Sequence, residues 1–113
     1  MRTRRDVRLK SFLEALEQPM RAKLLAIIKM LEELGPTLPF PYSRQVQGKL
    51  RELRTHYGNE LYRVLYYGAT DRVFILLHAF VKRTKKTPRR EIEAASERMK
   101  RSAEARGQKR RRR

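Results

Sequence analysis

The sequence predicts an α+β fold: an N-terminal helical hairpin packed on a three- to four-stranded antiparallel sheet, with a C-terminal helix after it. Three observations carry this reading. Between residues 11 and 34 apolar side chains recur every three or four positions, as one buried helical face requires. Between Lys49 and Thr87 they fall instead into three short runs rich in Tyr, Val, Ile and Phe, divided by His56-Tyr57-Gly58-Asn59 and Gly68-Ala69-Thr70-Asp71. Thr87-Pro88 then opens a second helical pattern, with Thr as N-cap and Pro at the first helical position.

Taken in order, residues 1–10 are a short basic lead-in, either disordered or a minimal edge strand. Phe12, Leu13 and Leu16 mark a first helix, which Pro19 interrupts, because proline sits best at a helix start. A second helix runs from Pro19 to Leu34, with Met20, Leu24, Ile27, Ile28, Leu31 and Leu34 as its stripe, and Gly35-Pro36 stops it. Residues 35–43 hold three prolines in nine positions and read as an extended connector. Strands follow from about Gly48 to Thr55, from Leu61 to Tyr67 and from Arg72 to Val81. The last is apolar on both faces and reads as the central strand, and turns this short make neighbours antiparallel. Ile92, Ala95 and Met99 give the C-terminal helix a thin apolar stripe that Gly107 ends. Residues 11–106 thus form one domain, and 107–113 form a disordered basic tail.

The net charge is +17, from 29 Lys and Arg against 12 Asp and Glu. A chain of 113 residues carrying that charge repels itself, and a polyanionic partner is the simplest physical reason to keep it. Nucleic acid leads over an acidic protein. The absence of cysteine removes disulfides and thiol chemistry and fits a reducing cytoplasm. An anionic membrane surface is a third candidate for the charge but has no further support, so no membrane partner is expected, and no apolar run approaches the about 20 residues that span a bilayer. The basic N-terminus lacks the apolar segment of a secretory signal.

Glycine-rich phosphate loops and serine–histidine–acid arrangements are missing. His56 and His78 have no carboxylate at metal-binding spacing, so neither metal nor other cofactor is expected. The chemistry left is cationic. Arg54 and Arg63 lie at comparable distances from Gly58, so they stand close across the ladder. Two facing arginines repel, unless an anion lies between them or Glu52 or Glu60 neutralises one. Lys82, Arg83, Lys85 and Lys86 leave the last strand together, either as a solvated loop or as a phosphate-binding cluster. Arginine forks match phosphate oxygens, and lysine supplies a mobile charge or a proton. Those are the needs of RNA cleavage through the 2′-hydroxyl. His78 reads as a proton shuttle or as a satisfied sheet histidine. Tyr57, Tyr62, Tyr66 and Tyr67 read as strand residues or as stacking platforms for bases. Lys49 and Arg51 extend the basic surface.

The phrases LRELR, YRVLYY and VFILLHAFVKRTKKTP followed by REIEAA, in this order, resemble the RelE/HigB-type toxins of bacterial toxin–antitoxin pairs, and most closely the phage-derived, host-inhibition-like HigB branch. The resemblance covers about residues 11 to 101. It implies a small cytoplasmic endoribonuclease that cuts mRNA on the ribosome without a metal, contacts ribosomal RNA, and is held by a helix-turn-helix antitoxin. Carried over residue by residue, it points to Arg54, Arg63, Lys82 and Lys85 or Lys86 as catalytic groups, and to His78 and Tyr62 less directly. Two departures follow. Relatives begin with a short strand, where this chain has MRTRRDVRLK, so the sheet lacks that edge strand or has a short substitute. No tyrosine follows the basic cluster, which leaves the general base unassigned. Against this reading stand a non-catalytic RNA-binding protein, a DNA-binding regulator that reads with the C-terminal helix, and a degenerate toxin that only binds its antitoxin.

Overall fold

The computed structural model describes residues 1–84 and 86–111, with backbone alone for 108–111. In chain order the elements are β1 (Arg2–Arg5), α1 (Val7–Ala15), α2 (Gln18–Leu34), a 3-10 turn (Gly35–Thr37), β2 (Ser43–Gln47), β3 (Leu50–Tyr57), β4 (Glu60–Ala69), β5 (Val73–Lys82) and α3 (Arg89–Arg111). The helical hairpin, the β3–β4–β5 meander and the C-terminal helix are all present. The sheet, however, has five strands in the order β1-β5-β4-β3-β2 and is mixed rather than purely antiparallel.

Both extra strands sit at the edges. β1 runs parallel to β5, pairing Arg2 with Val73 through Arg5 with Leu76. Its sequence, Arg-Thr-Arg-Arg, shows no apolar alternation; its place is fixed by backbone pairing and by the Thr3 hydroxyl, which donates to Glu32 of α2 at 2.7 Å. Residues 1–10 are therefore no loose lead-in: they supply an edge strand and the first turn of α1, which starts at Val7 with the Asp6 carboxylate accepting from Arg8 N–H at 2.9 Å. β2 is mostly polar and follows the proline-rich connector directly. It pairs antiparallel with β3 across a turn at Gly48, whose φ of 55° suits glycine. The middle strand is β4, not β5, and six consecutive β4 residues, Arg63 through Gly68's neighbour Tyr67 with Tyr62 before them, are buried.

The sheet is covered on both faces. On one, α1 and α2 bury Leu9, Leu13, Leu24, Ile27, Ile28 and Leu31 against Leu53, Val64, Tyr66, Phe74 and Leu76. On the other, α3 lays Ala95, Ile92 and Met99 over Leu50, Leu65, Tyr67, Ile75, Leu77 and Phe80. Thr87 does not cap α3, because its hydroxyl is used inside the sheet's charge cluster. Nor does Gly107 end that helix, which continues to Arg111; Arg112 and Arg113 lie outside the described residues. Among the described residues no helix is long and apolar enough to cross a membrane.

Candidate anion-binding site

Alternation along β3 puts Leu50, Glu52 and Arg54 on the α3 face of the sheet. The ladders set Arg54 directly opposite Arg63 on β4, and Arg44 on β2 directly opposite Glu52. Lys82 ends β5 on the same side. Four cationic side chains from four strands thus converge on one carboxylate.

Glu52 is 0% exposed. Its Oε1 lies 3.1 Å from Arg44 Nη2, 3.6 Å from Arg54 Nε and 3.8 Å from Arg63 Nε. Its Oε2 accepts from the Thr87 hydroxyl at 2.8 Å, and Lys82 Nζ donates to the same hydroxyl at 3.1 Å. A buried carboxylate with such partners is the counter-charge that lets two arginines face each other. Arg63 turns part of its fork to the backbone, donating from Nη1 to the carbonyls of Tyr62 (2.9 Å) and Thr55 (3.2 Å). Arg54 lies over the ring of Phe40, with Cζ 5.1 Å from the centroid.

The neutralisation is incomplete. With Lys82 protonated, the cluster carries three positive charges in excess. The buried Nε of Arg54, the Nε of Arg63 and Oε1 of Glu52 make no well-aligned hydrogen bond. The buried groups are thus held by charge more than by aligned hydrogen bonds, and the excess positive charge suits an anion such as phosphate. Burial, and then the neighbouring Arg54, pull the Arg63 guanidinium below the usual arginine range. Burial chiefly, with Arg63, Arg44 and Arg54 adding to it against the opposing pull of Glu52, brings the Lys82 ammonium down to about 8. A lysine that titrates near neutrality can give up a proton in a reaction that an ordinary lysine cannot serve.

Of the residues expected from the sequence, Arg54, Arg63 and Lys82 come together. Arg83 and Lys86 are exposed beyond the end of β5, and Lys86 lines a shallow depression with Thr87, Gln47 and Arg89 beside the cluster. Lys85 lies outside the described residues. Lys49 is exposed in the β2–β3 turn. Arg51 points to the opposite face, where its Nε donates to Ser43 Oγ, which itself shares a hydrogen bond with Tyr66. Tyr62 is 2% exposed in the core beneath α1 and α2, so its ring offers no free face for a base. Burial, and then Glu60, push its hydroxyl above the usual tyrosine range. His78 is apart from the cluster and committed to α3. Its Nε2 lies 3.3 Å from Glu91 Oε1, and Arg98 Nη1 donates to its Nδ1 at 2.9 Å.

Two members of the site were not singled out from the sequence. Glu52 was visible only as a possible partner for Arg54, although the Leu50-x-Glu52-x-Arg54 spacing places it on the arginine face. Arg44 lies on β2, which the connector's prolines disguised. Among the described residues no group of three or more His, Asp or Glu side chains gathers as metal ligands would.

No curated protein matches the chain. A family model does, over residues 11–100, which takes in the second half of α1, all of α2, all the strands that build the cationic cluster and about half of α3. With that span matched, the chain belongs to the phage-derived Gp49-like protein family (DUF891).

Proposed function

We propose that this protein is the toxin of a type II toxin–antitoxin pair, a ribosome-dependent mRNA endonuclease of the RelE/HigB type within the phage-derived HigB-like branch. Membership of the Gp49-like family supports a toxin. The observation that carries the chemistry is the cluster of Arg44, Arg54, Arg63 and Lys82 around Glu52, with its excess of positive charge.

In the proposed reaction the 2′-oxygen attacks the adjacent phosphorus and the bond from phosphorus to the 5′-oxygen breaks. The products are a 2′,3′-cyclic phosphate and a 5′-hydroxyl. Arg54 and Arg63 stabilise the additional negative charge on the phosphoryl oxygens. Lys82, held between Thr87 and the arginines, gives its proton to the leaving 5′-oxygen. The 2′-hydroxyl proton passes to solvent water as the new phosphorus–oxygen bond forms. A helix-turn-helix antitoxin would hold the protein inactive, and the rest of the basic surface would follow ribosomal RNA.

The test is cleavage of mRNA on translating ribosomes by the purified protein. The parent cuts, while Arg54→Ala and Lys82→Met lose at least about 100-fold in rate, the lower range for losing a proton donor or a charge-stabilising group. The pH dependence has a definite sign. Lys82 is protonated below about 8 and loses its proton above it, so a proton-donor role makes the single-turnover rate fall as pH rises through about 8. Lys82→Arg, which stays protonated, moves that fall to higher pH. A parent that never cuts, or an Arg54→Ala variant that cuts as well as the parent, would sink the proposal.

A further inference from the structure

The open end of the cationic cluster leads into a second feature. Where β3 and β4 meet their hairpin, the sheet end and α2 enclose a depression of ≈ 600 Å³. That size lies within the about 300–1,000 Å³ of small-molecule sites. Arg54 and Arg63 are among its lining residues, so the depression adjoins the anion site at the hairpin end of the sheet. Ile27, Met30 and Leu61 give it an apolar lining, and Lys23 and His56 bring polar atoms to it. Tyr42 lines the remaining side and is 42% exposed.

Phe40 stands beside it, 68% exposed, with one face already against Arg54. Both aromatics belong to the short, proline-flanked segment Pro39-Phe40-Pro41-Tyr42. The backbone there is anchored, since the Tyr42 carbonyl accepts from Arg54 N–H at 2.9 Å and Tyr42 N–H donates to the Pro39 carbonyl at 3.0 Å. Two large rings held on a tethered backbone yet left in water contribute little to the core. Tyr42 is preorganised for a flat apolar partner.

We infer that this depression takes an unstacked nucleobase of single-stranded RNA, stacked on Tyr42, while its adjoining phosphate rests on Arg54, which Phe40 backs. The inference rests on the proposal that the cluster binds RNA, and it adds a base-holding subsite to it. Lys23 and His56 are the groups placed to meet the edge of the base. The apolar lining favours a base over a second phosphate, and the two arginines favour a nucleotide over a neutral aromatic ligand.

The experiment is fluorescence anisotropy with the full chain and two labelled pentanucleotides. Both carry 2′-O-methyl groups, so neither can be cut; one has its bases and the other is abasic throughout, with the same phosphates. The parent should bind the base-bearing strand about tenfold or more tightly than the abasic one, within the range of a single base stack. Tyr42→Leu should bind the two strands more nearly alike, because the stack is already lost. Thermal melting confirms that the variant is folded. If the parent binds both strands equally and Arg54→Ala weakens both, the base subsite is overturned and the RNA-binding cluster stands. If neither Arg54→Ala nor the loss of bases alters affinity, both fall together.

Discussion

Glu52 is the residue on which the charge cluster turns. It is the only carboxylate facing Arg44, Arg54 and Arg63 in the ion pairs described, and it is fully buried. Removing one partner from a buried ionic group strands the others, which costs about 3–5 kcal/mol. Glu52→Ala should therefore lower the unfolding free energy by that amount in urea denaturation. Glu52→Gln should recover part of it, because an amide oxygen can still accept from Thr87. Millimolar sulfate should stabilise Glu52→Ala more than the parent, since the variant has an additional uncompensated cationic charge to offer an anion. A variant as stable as the parent would mean that the arginines need no counter-charge. The sequence shows Arg54 and Arg63 converging, because distance from a tight turn fixes which residues face each other. It does not show that Glu52 is buried between them, since burial of a charge depends on what covers that face.

At the scale of elements, the union of β5 and α3 explains where His78 is. The β4–β5 ladder pairs Leu65 with His78 and then Tyr66 with Leu76, so Leu77 is an extra residue in β5. Such a bulge interrupts the pairing and reverses the alternation of side chains. Leu77 and His78 consequently both face α3. Arg98 of α3 meets the disturbance: its Nη1 donates to the Leu77 carbonyl at 2.9 Å and to His78 Nδ1 at 2.9 Å. Arginine has no lone pair to offer, so Nδ1 accepts and the ring proton sits on Nε2, towards Glu91. Tyr67 and Ser102 add a 2.9 Å hydrogen bond one helical turn further on. Arg98→Met should destabilise the protein by about 1–3 kcal/mol, the cost of leaving buried acceptors unpaired, as read from urea midpoints. An unchanged midpoint would show that the bulge needs no partner from α3. Composition revealed β5 as a strand, because five apolar residues in a row leave few alternatives. The bulge left no comparable mark, since its extra residue is another leucine.

At the scale of the whole molecule, the charge of +17 is spread well beyond the cluster. Arg4, Arg5, Arg8, Arg101 and Arg106 line a groove between β1, the start of α1 and α3, on the far side of β5 from β3. Binding to single-stranded RNA should thus be dominated by counterion release. With about six phosphates neutralised, affinity falls on the order of tenfold for each doubling of salt. Arg54→Ala should reduce the slope of log affinity against log salt by about 1. Tyr42→Leu should leave that slope unchanged while lowering affinity at every salt concentration. A slope near zero in the parent would show that the surface charge does not engage the RNA.

Local patterning along the chain establishes the α+β class, the helical hairpin, the three-stranded meander with its turns, and the meeting of Arg54 with Arg63. These follow from periodicity and from turn chemistry, which act over a few residues. Tertiary structure decided the rest. It made β4 the middle strand, because two largely polar segments, Arg2–Arg5 and Ser43–Gln47, joined the edges through backbone hydrogen bonds and through side-chain ties such as Thr3 to Glu32 and Ser43 to Tyr66. It brought Arg44 into the site with β2, turned His78 away to α3 and sank Tyr62 into the core. It also buried Lys82 against Thr87 and the arginines, which lowers the affinity of its amine for a proton. Side-chain type says which groups can carry a charge; only the fold says which of them must share one carboxylate.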